Sequence, residues 1–290
     1  MSPVAQQTIA RQTTAQQTVA DHLDHPGRHG PAVTSTPGSL RGRTVVFLHA
    51  HPDDEAIFTA ATMHRLAAEG ARVVLVTATA GELGPVLRPL RAGETLADRR
   101  RTELEQACAA LGVARLVLLG YRDSGMQGWD SNLHPGALAG ADIPAASRRL
   151  AELCLTEGAE ALVHYDGDGI YRHPDHLAVH RIGARAAALA GIAEYEATVD
   201  RDHLRGRGLH LVEAAAGPSN DVGRSTTQIT TVVRASAGDL AAKRAAMAAH
   251  ASQIPPAALR RRGFARTYGL EWYVRTGPAA ALDVVRAGVG

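Results

Sequence analysis

Two short clusters in this chain carry side chains able to do chemistry: Ala50-His51-Pro52-Asp53-Asp54-Glu55 and Tyr171-Arg172-His173-Pro174-Asp175-His176. Each joins imidazole to carboxylate within a few residues, a donor set suited to zinc and similar divalent ions. His51 and Asp54 are three residues apart and can converge on one point where a strand turns into a helix. The helix N-terminus there favours carboxylates. His173 and His176 have the same spacing, so one helical turn sets both imidazoles on one side. Two such clusters point to a three-ligand metal site with an open position, the arrangement of metal-assisted hydrolysis. Ordinary cap and turn duty would explain either cluster alone, but is a poor account of both. His176 and His180 have the i, i+4 spacing of the H-E-x-x-H zinc helix. Leu177, Ala178 and Val179 supply no glutamate between them, so His180 reads as a helix-face residue.

The elements that must position these clusters are legible beside them. Val45-Val46-Phe47-Leu48 is a short apolar run with β-branched residues, and it stops at the first cluster. It reads as a buried strand, with its acids where open α/β sheets bind ligands, at strand carboxyl ends. Strands are expected at 44–49, 72–79, 115–120 and 160–165, and helices at about 55–69, 94–111, 143–157 and 174–190. That alternation implies right-handed βαβ units in an α/β, Rossmann-like fold, a mostly parallel sheet with helices on both faces. After Ile192 the pattern loosens: 194–198, 228–234 and 271–275 read as strands, and 237–251 as a helix ended before Pro255-Pro256. Asp166-Gly167-Asp168-Gly169 reads as a flexible loop near the second cluster.

Residues 1–40 are rich in Gln, Thr, Ala, His, Pro and Gly and show no core-forming pattern. They read as a disordered leader, with 41–290 forming a single domain. The leader histidines His22, His25 and His29 have no second ligand type fixed beside them and read as solvated. A chain of 290 residues is ample for a core. Net charge is +2, which gives no electrostatic footprint for nucleic acid and no charged arm for a membrane. No apolar run approaches the ~20 residues of a membrane span, and no signal-type apolar segment begins the sequence. Cys108 and Cys154, the only two cysteines, sit in helix-like apolar contexts. They read as buried free thiols of a cytoplasmic protein.

The two motifs, in this order, resemble those of the LmbE-like (PIG-L) zinc-dependent de-N-acetylases: AHPDDE at Ala50 to Glu55 and HPDH at His173 to His176. Arg122-Asp123-Ser124-Gly125-Met126 resembles the segment of the actinobacterial branch that handles mycothiol precursors and conjugates. Arg100-x-x-Glu103-Leu104 with Leu111-Gly112 resembles the family's second helix. The likeness spans roughly Thr44 to Asp202, and more loosely the chain to Arg275. It implies one Zn²⁺ per chain, or another divalent ion such as Fe²⁺, held by His51, Asp54 and His176. It further implies Asp53 as general base, and His173 as oxyanion donor and acid for the leaving amine. Tyr171 matches the family's mobile tyrosine, a second donor, and Asp175 would orient a ligand histidine. Arg100 and Asp123 would contact hydroxyls of a sugar or cyclitol.

The implied reaction is hydrolytic removal of an N-acetyl group from an amino-sugar-containing small molecule. N-acetylglucosaminyl-inositol, a mycothiol S-conjugate (an amidase reaction) and an acetylated antibiotic intermediate all fit that class. Tyr121, Trp129 and Trp272 are candidates to stack on a sugar ring. Two readings come from other classes. A nucleotide-binding protein would place a Gly-rich turn after the first strand, whereas the acids here repel a pyrophosphate. A non-catalytic binding protein would have no use for intact Asp53 and His173. The sequence leaves the oligomeric state open.

Overall fold

The β1 strand, Thr44–His49, is buried at all six residues because both faces of its sheet are covered. Successive side chains point to opposite faces, and the two cores divide accordingly. Val45, Phe47, Val73, Leu75 and Val163 join one core, while Val46, Leu48, Val74, Val76 and Leu162 join the other. The computed structural model describes residues 39–205, 210–216, 222–260 and 262–287. The remaining strands are β2 (Arg72–Thr79), β3 (Arg115–Tyr121), β4 (Ala161–Tyr165), β5 (Ala193–Thr198), β6 (Thr231–Arg234) and β7 (Leu270–Thr276). They form one seven-stranded sheet in the order β3-β2-β1-β4-β5-β7-β6. The first five strands are parallel; β7 runs antiparallel to both β5 and β6.

This order makes the site. The chain leaves β1 towards β2 and β3 on one side, and leaves β4 towards β5 on the other. The crevice between the carboxyl ends of β1 and β4 is therefore the topological switch point, where open α/β sheets bind ligands. The first cluster directly follows β1, and the second follows β4 and opens the helix Pro174–Ala190. That helix begins with Pro at its first turn and His173 as N-cap, and it ends at Gly191 in the left-handed region. The helix Leu96–Leu111 starts with a Thr95–Asp98 capping box. Its buried stripe holds Leu96, Arg100, Glu103, Leu104, Ala107, Cys108 and Leu111, so helical periodicity alone turns Arg100 and Glu103 inward.

The helix expected over 55–69 is in two parts, a π-helical turn Glu55–Thr59 and an α-helix Ala60–Ala68. At the break, the amides of Ala61 and Thr62 donate to the Glu271 carboxylate of β7, both at 2.8 Å. An acid from a distant strand thus does what the interrupted helix does not, a pairing that local sequence cannot announce. The strand expected at 228–234 begins at Thr231, because Thr226–Gln228 forms a 3₁₀ turn. Of the leader expected at 1–40, residues 1–38 lie outside the described residues, and Leu40 is buried in the core. Cys108 and Cys154 are buried and free. Among the described residues no helix is long and apolar enough to cross a membrane.

Candidate active site

His51, Asp54 and His176 meet at the floor of the crevice, all buried. Asp54 Oδ2 lies 3.4 Å from His51 Nδ1 and 3.4 Å from His176 Nε2. A tetrahedral ion with ligand bonds of about 2.0–2.1 Å spaces its ligand atoms about 3.3 Å apart, which the two distances at Asp54 match, and all three ligand atoms lie within 4.8 Å of one another. His51, His173 and Asp175 also lie close enough to be considered. In that trio, however, the facing atoms already bond one another. Asp175 Oδ2 meets His51 Nε2 at 3.0 Å and accepts from Ser124 N at 3.0 Å, and Oδ1 accepts from the Ser124 hydroxyl. His173 Nδ1 accepts from Asp175 N at 3.2 Å. Asp175 therefore fixes the proton of a neutral His51 on Nε2 and leaves Nδ1 aimed at Asp54, as partners of metal-ligating histidines do. His176 stacks on Tyr165, with ring centroids 4.3 Å apart.

The electrostatics agree with a seat for positive charge. Burial works against the Asp54 carboxylate, yet His176 and His51 hold it well below the usual range. Burial likewise opposes the imidazolium of His51, and the Asp175 and Asp54 carboxylates nonetheless raise it well above its ordinary value. The site stabilises a cation on His51 through Asp54, which would face an ion, and through Asp175, which holds the far side of the ring.

Asp53 lies beside this trio without belonging to it. Its φ is 115°, a conformation that side-chain-bearing residues rarely take, and it turns the carboxylate into the crevice. Burial pushes its carboxyl up to about 6, against the pull of Arg100. Arg100 Nη2 donates to Asp53 Oδ1 at 3.2 Å and to the Pro52 carbonyl, and Nη1 donates to the Gly81 carbonyl at 2.7 Å. The guanidinium rests against Gly81, where a Cβ would collide with it. Asp123 Oδ1 accepts from Gly125 N at 2.8 Å and Oδ2 from Leu83 N at 3.2 Å, which ties two loops together at the crevice.

His173 packs edge-on against His51, with centroids 4.7 Å apart. Burial, with His51 and His176 beside it, lowers its imidazole to about 2. It is therefore neutral and, with Nδ1 accepting, carries its proton on Nε2. Tyr171 Oη lies 3.3 Å from His176 Nε2, and burial keeps the phenol protonated well above its ordinary range. Its neighbours Ile170 and Arg172 sit at φ 63° and 68°, so the segment carrying Tyr171 is strained on both sides. The preceding glycine-rich stretch is tied down: Asp166 Oδ1 accepts from Asp168 N and Ile170 N, and Asp168 pairs with Arg224 at 2.6 Å. Of the eight residues given metal, catalytic or hydroxyl-binding roles from the sequence, seven line one crevice of about 430 Å³, and the eighth, His176, meets His51 and Asp54 just beneath that lining.

Sequence reasoning missed two contributors. Tyr165 Oη accepts from Ala50 N at 2.9 Å and contacts His49 Nδ1 at 3.0 Å, which holds the turn after β1. A tyrosine in a strand gives no signal of that. Ser124 holds Asp175, a contact that the neighbouring Asp-Ser-Gly segment could have suggested. Of the three ring-stacking candidates, Trp129 lines the crevice, whereas Trp272 is 4% exposed within the core and Tyr121 packs on that same core. Trp272 is thus withdrawn as a sugar platform, because both faces of β7 are covered at Glu271, Trp272 and Tyr273.

The sequence profile of the GlcNAc-PI de-N-acetylase family, PIG-L, matches residues 46–187, a span that contains both clusters. The 1D-myo-inositol 2-acetamido-2-deoxy-alpha-D-glucopyranoside deacetylase of Thermomonospora curvata is 39% identical over 278 residues, covering 82% of this chain and 93% of that protein. The protein of the same name from Acidothermus cellulolyticus is 38% identical over 286 residues, covering 85% and 97%. Among solved structures, the A40926 pseudoaglycone deacetylase has a TM-score of 0.58 at 18% identity, covering 83% of this chain and 100% of that one. The N,N'-diacetylchitobiose deacetylase from Pyrococcus horikoshii has a TM-score of 0.55 at 19% identity, covering 81% and 84%. These two share the fold. With relatives matched over nearly their whole length and both motifs inside the matched span, the chain belongs to the GlcNAc-PI de-N-acetylase (PIG-L) family.

Proposed function

We propose that this protein is a metal-dependent hydrolase that removes the N-acetyl group from an amino-sugar-containing small molecule. The first candidate substrate is the acetamido-glucosyl-inositol named in its relatives. The observation that carries the reading is the 3.4 Å spacing of Asp54 Oδ2 from both His51 Nδ1 and His176 Nε2, with the non-ligating Asp53 alongside. His51, Asp54 and His176 would hold one divalent ion, Zn²⁺ by donor type with Fe²⁺ the alternative, and that ion would supply Lewis acidity towards the amide carbonyl.

The chain's own residues do the rest. Asp53, steadied by Arg100, accepts the proton of the attacking water. The His173 Nε2–H donates to the amide oxygen as it gains charge; because this imidazole is neutral, giving up that proton would leave an imidazolate, so the proton taken up by Asp53 passes to the departing amine instead. The Tyr171 hydroxyl is a second donor to that oxygen. Both Asp123 oxygens retain a lone pair for a sugar hydroxyl. The Arg100 Nη groups are already engaged, so we assign Arg100 to Asp53 rather than to the sugar. Trp129 offers a ring face to the sugar. Two buried free thiols suit a cytoplasmic enzyme.

One feature favours a second reading, an amidase acting on a mycothiol S-conjugate. Leu83, Pro85, Met126, Trp129 and Leu211 give the crevice an apolar side that a thioether substituent could cover. A panel of the inositol glycoside, an S-conjugate and N-acetyl peptides, scored for free amine with and without chelator, tests both. Amine release that chelation leaves untouched, or peptides cleaved as well as the glycosides, would overturn the proposal.

A further inference from the structure

Beneath the crevice lies a buried pair that the chemistry above does not use. Glu55 and His250 are each 0% exposed, and His250 Nε2 meets Glu55 Oε1 at 2.5 Å. The other oxygen of that carboxylate, Oε2, accepts the backbone N–H of Asp53 at 3.0 Å. Asp53 is the residue at φ 115°, and it is not glycine. A strained backbone of this kind persists only where its surroundings over-determine it, and such strain costs of order 1–3 kcal/mol. Here the restraints are specific. Glu55 holds the Asp53 N–H, and the Asp53 carbonyl accepts from Ala56 N and Ile57 N, each at 3.0 Å. Arg100 holds the Asp53 side chain.

His250 comes from far along the chain, just after the helix Ala237–Ala249 and beyond the profile-matched span 46–187. The turn it opens reaches the same target by a second route. Ser252 N and Oγ donate to Glu103 at 2.9 and 2.6 Å, and Glu103 lies on the same buried helical stripe as Arg100. The turn also meets the loop at the crevice mouth: Leu87 N donates to the Ser252 carbonyl at 3.0 Å, and Gln253 Nε2 donates to the Pro85 carbonyl at 2.8 Å. One C-terminal turn therefore braces Asp53 through its amide and through the helix that carries its arginine. A buried imidazole–carboxylate pair is weak support for stability as such, since an apolar pair of similar volume often does as well. That leaves geometry as the reason for this pair.

We propose that His250 and Glu55 are positioning residues for the deacetylation, fixing the Asp53 backbone so that its carboxylate faces the attacking water. The inference rests on the base role assigned to Asp53 above. Displacing a reacting group by about 1 Å costs on the order of 10²-fold in rate.

The test compares two double variants of the full chain, because His250→Ala alone would strand a buried carboxylate and could prevent folding. Glu55→Gln/His250→Gln keeps a carbonyl acceptor for the Asp53 N–H. Glu55→Leu/His250→Leu fills the space with no acceptor. With both metal-loaded to the same stoichiometry, the leucine pair should lose about 10- to 100-fold in kcat at unchanged KM, and the amide pair should stay within about fivefold of wild type. Independently of substrate and metal, the Asp53 amide should be protected from hydrogen exchange in wild type and the amide pair, and exposed in the leucine pair. Equal kcat in the two pairs would overturn the inference, as would equal protection of that amide. The exchange result stands even if the substrate reading fails, so the two failures are distinguishable.

Discussion

Replacing Asp175 by Asn tests whether this residue orients a metal ligand or is itself one. The carboxylate takes three contacts: His51 Nε2 at 3.0 Å, Ser124 N at 3.0 Å and the Ser124 hydroxyl. Asparagine has one oxygen. Set in the Oδ2 position, it still accepts from Ser124 N and His51 Nε2, while its NH₂ faces a hydroxyl that already accepts from Ala139 N at 2.9 Å. The bond to His51 survives but loses its charge. Hydrogen bonds to charged groups contribute about 1.5–3 kcal/mol and neutral ones about 0.5–1.5, a difference of about 1–1.5 kcal/mol, or roughly tenfold in affinity. Metal binding should therefore weaken about tenfold, at the lower end of the 10- to 100-fold range typical of residues that orient ligands. Asp175→Ala, which strands the Ser124 donors as well, should reach the upper end and lower the melting temperature. Competition against a chromophoric chelator at fixed pH reads the affinity. An unchanged dissociation constant in both variants would show that His51 is not held through Asp175. Complete loss of metal in Asp175→Asn would make Asp175 a ligand.

The other predictions concern single residues. His51→Ala should retain less than a tenth of an equivalent of metal, measured by elemental analysis, and a full equivalent would disprove its role as ligand. His173→Ala should keep its metal and its KM while kcat falls roughly 10²–10³-fold, as on removing an oxyanion donor; loss of the metal instead would pass the donor role to Tyr171. Deleting residues 1–38 should leave melting temperature and turnover unchanged. Leu40→Ala, at 2% exposure in the core, should cost about 2–5 kcal/mol in denaturant unfolding. A truncated protein that melts well below the full chain would refute the leader reading.

Much of this architecture is legible in the sequence, for local reasons. Apolar runs such as 44–49 and 72–79 are continuous because helices cover both faces of the sheet, and the chemistry-bearing clusters mark the ends of β1 and β4. The convergence of His51, Asp54 and His176 was foreseeable because they sit in two compact motifs. Long-range acids were not readable. Glu271 caps the helix at Ala61 and Thr62 from more than two hundred positions away, and nothing in Leu270–Thr276 marks it for that duty. The engagement of Arg100 was hidden for the same reason: its spacing gives an inward direction, whereas its partners lie on Pro52, Asp53 and Gly81. Trp272 was misjudged because an aromatic near the chain's end reads equally well as core or as platform until strand pairing fixes its face.

The central claim is that Asp53 drives removal of an acetyl group at a site built by His51, Asp54 and His176. The most direct measurement is free-amine release from the acetamido-glucosyl-inositol by wild type and Asp53→Asn, each carrying one equivalent of metal. The account predicts that wild type releases amine and that Asp53→Asn is slower by on the order of 10²–10⁴-fold, the usual contribution of a general base. Comparable rates from the two proteins at equal metal content would contradict it.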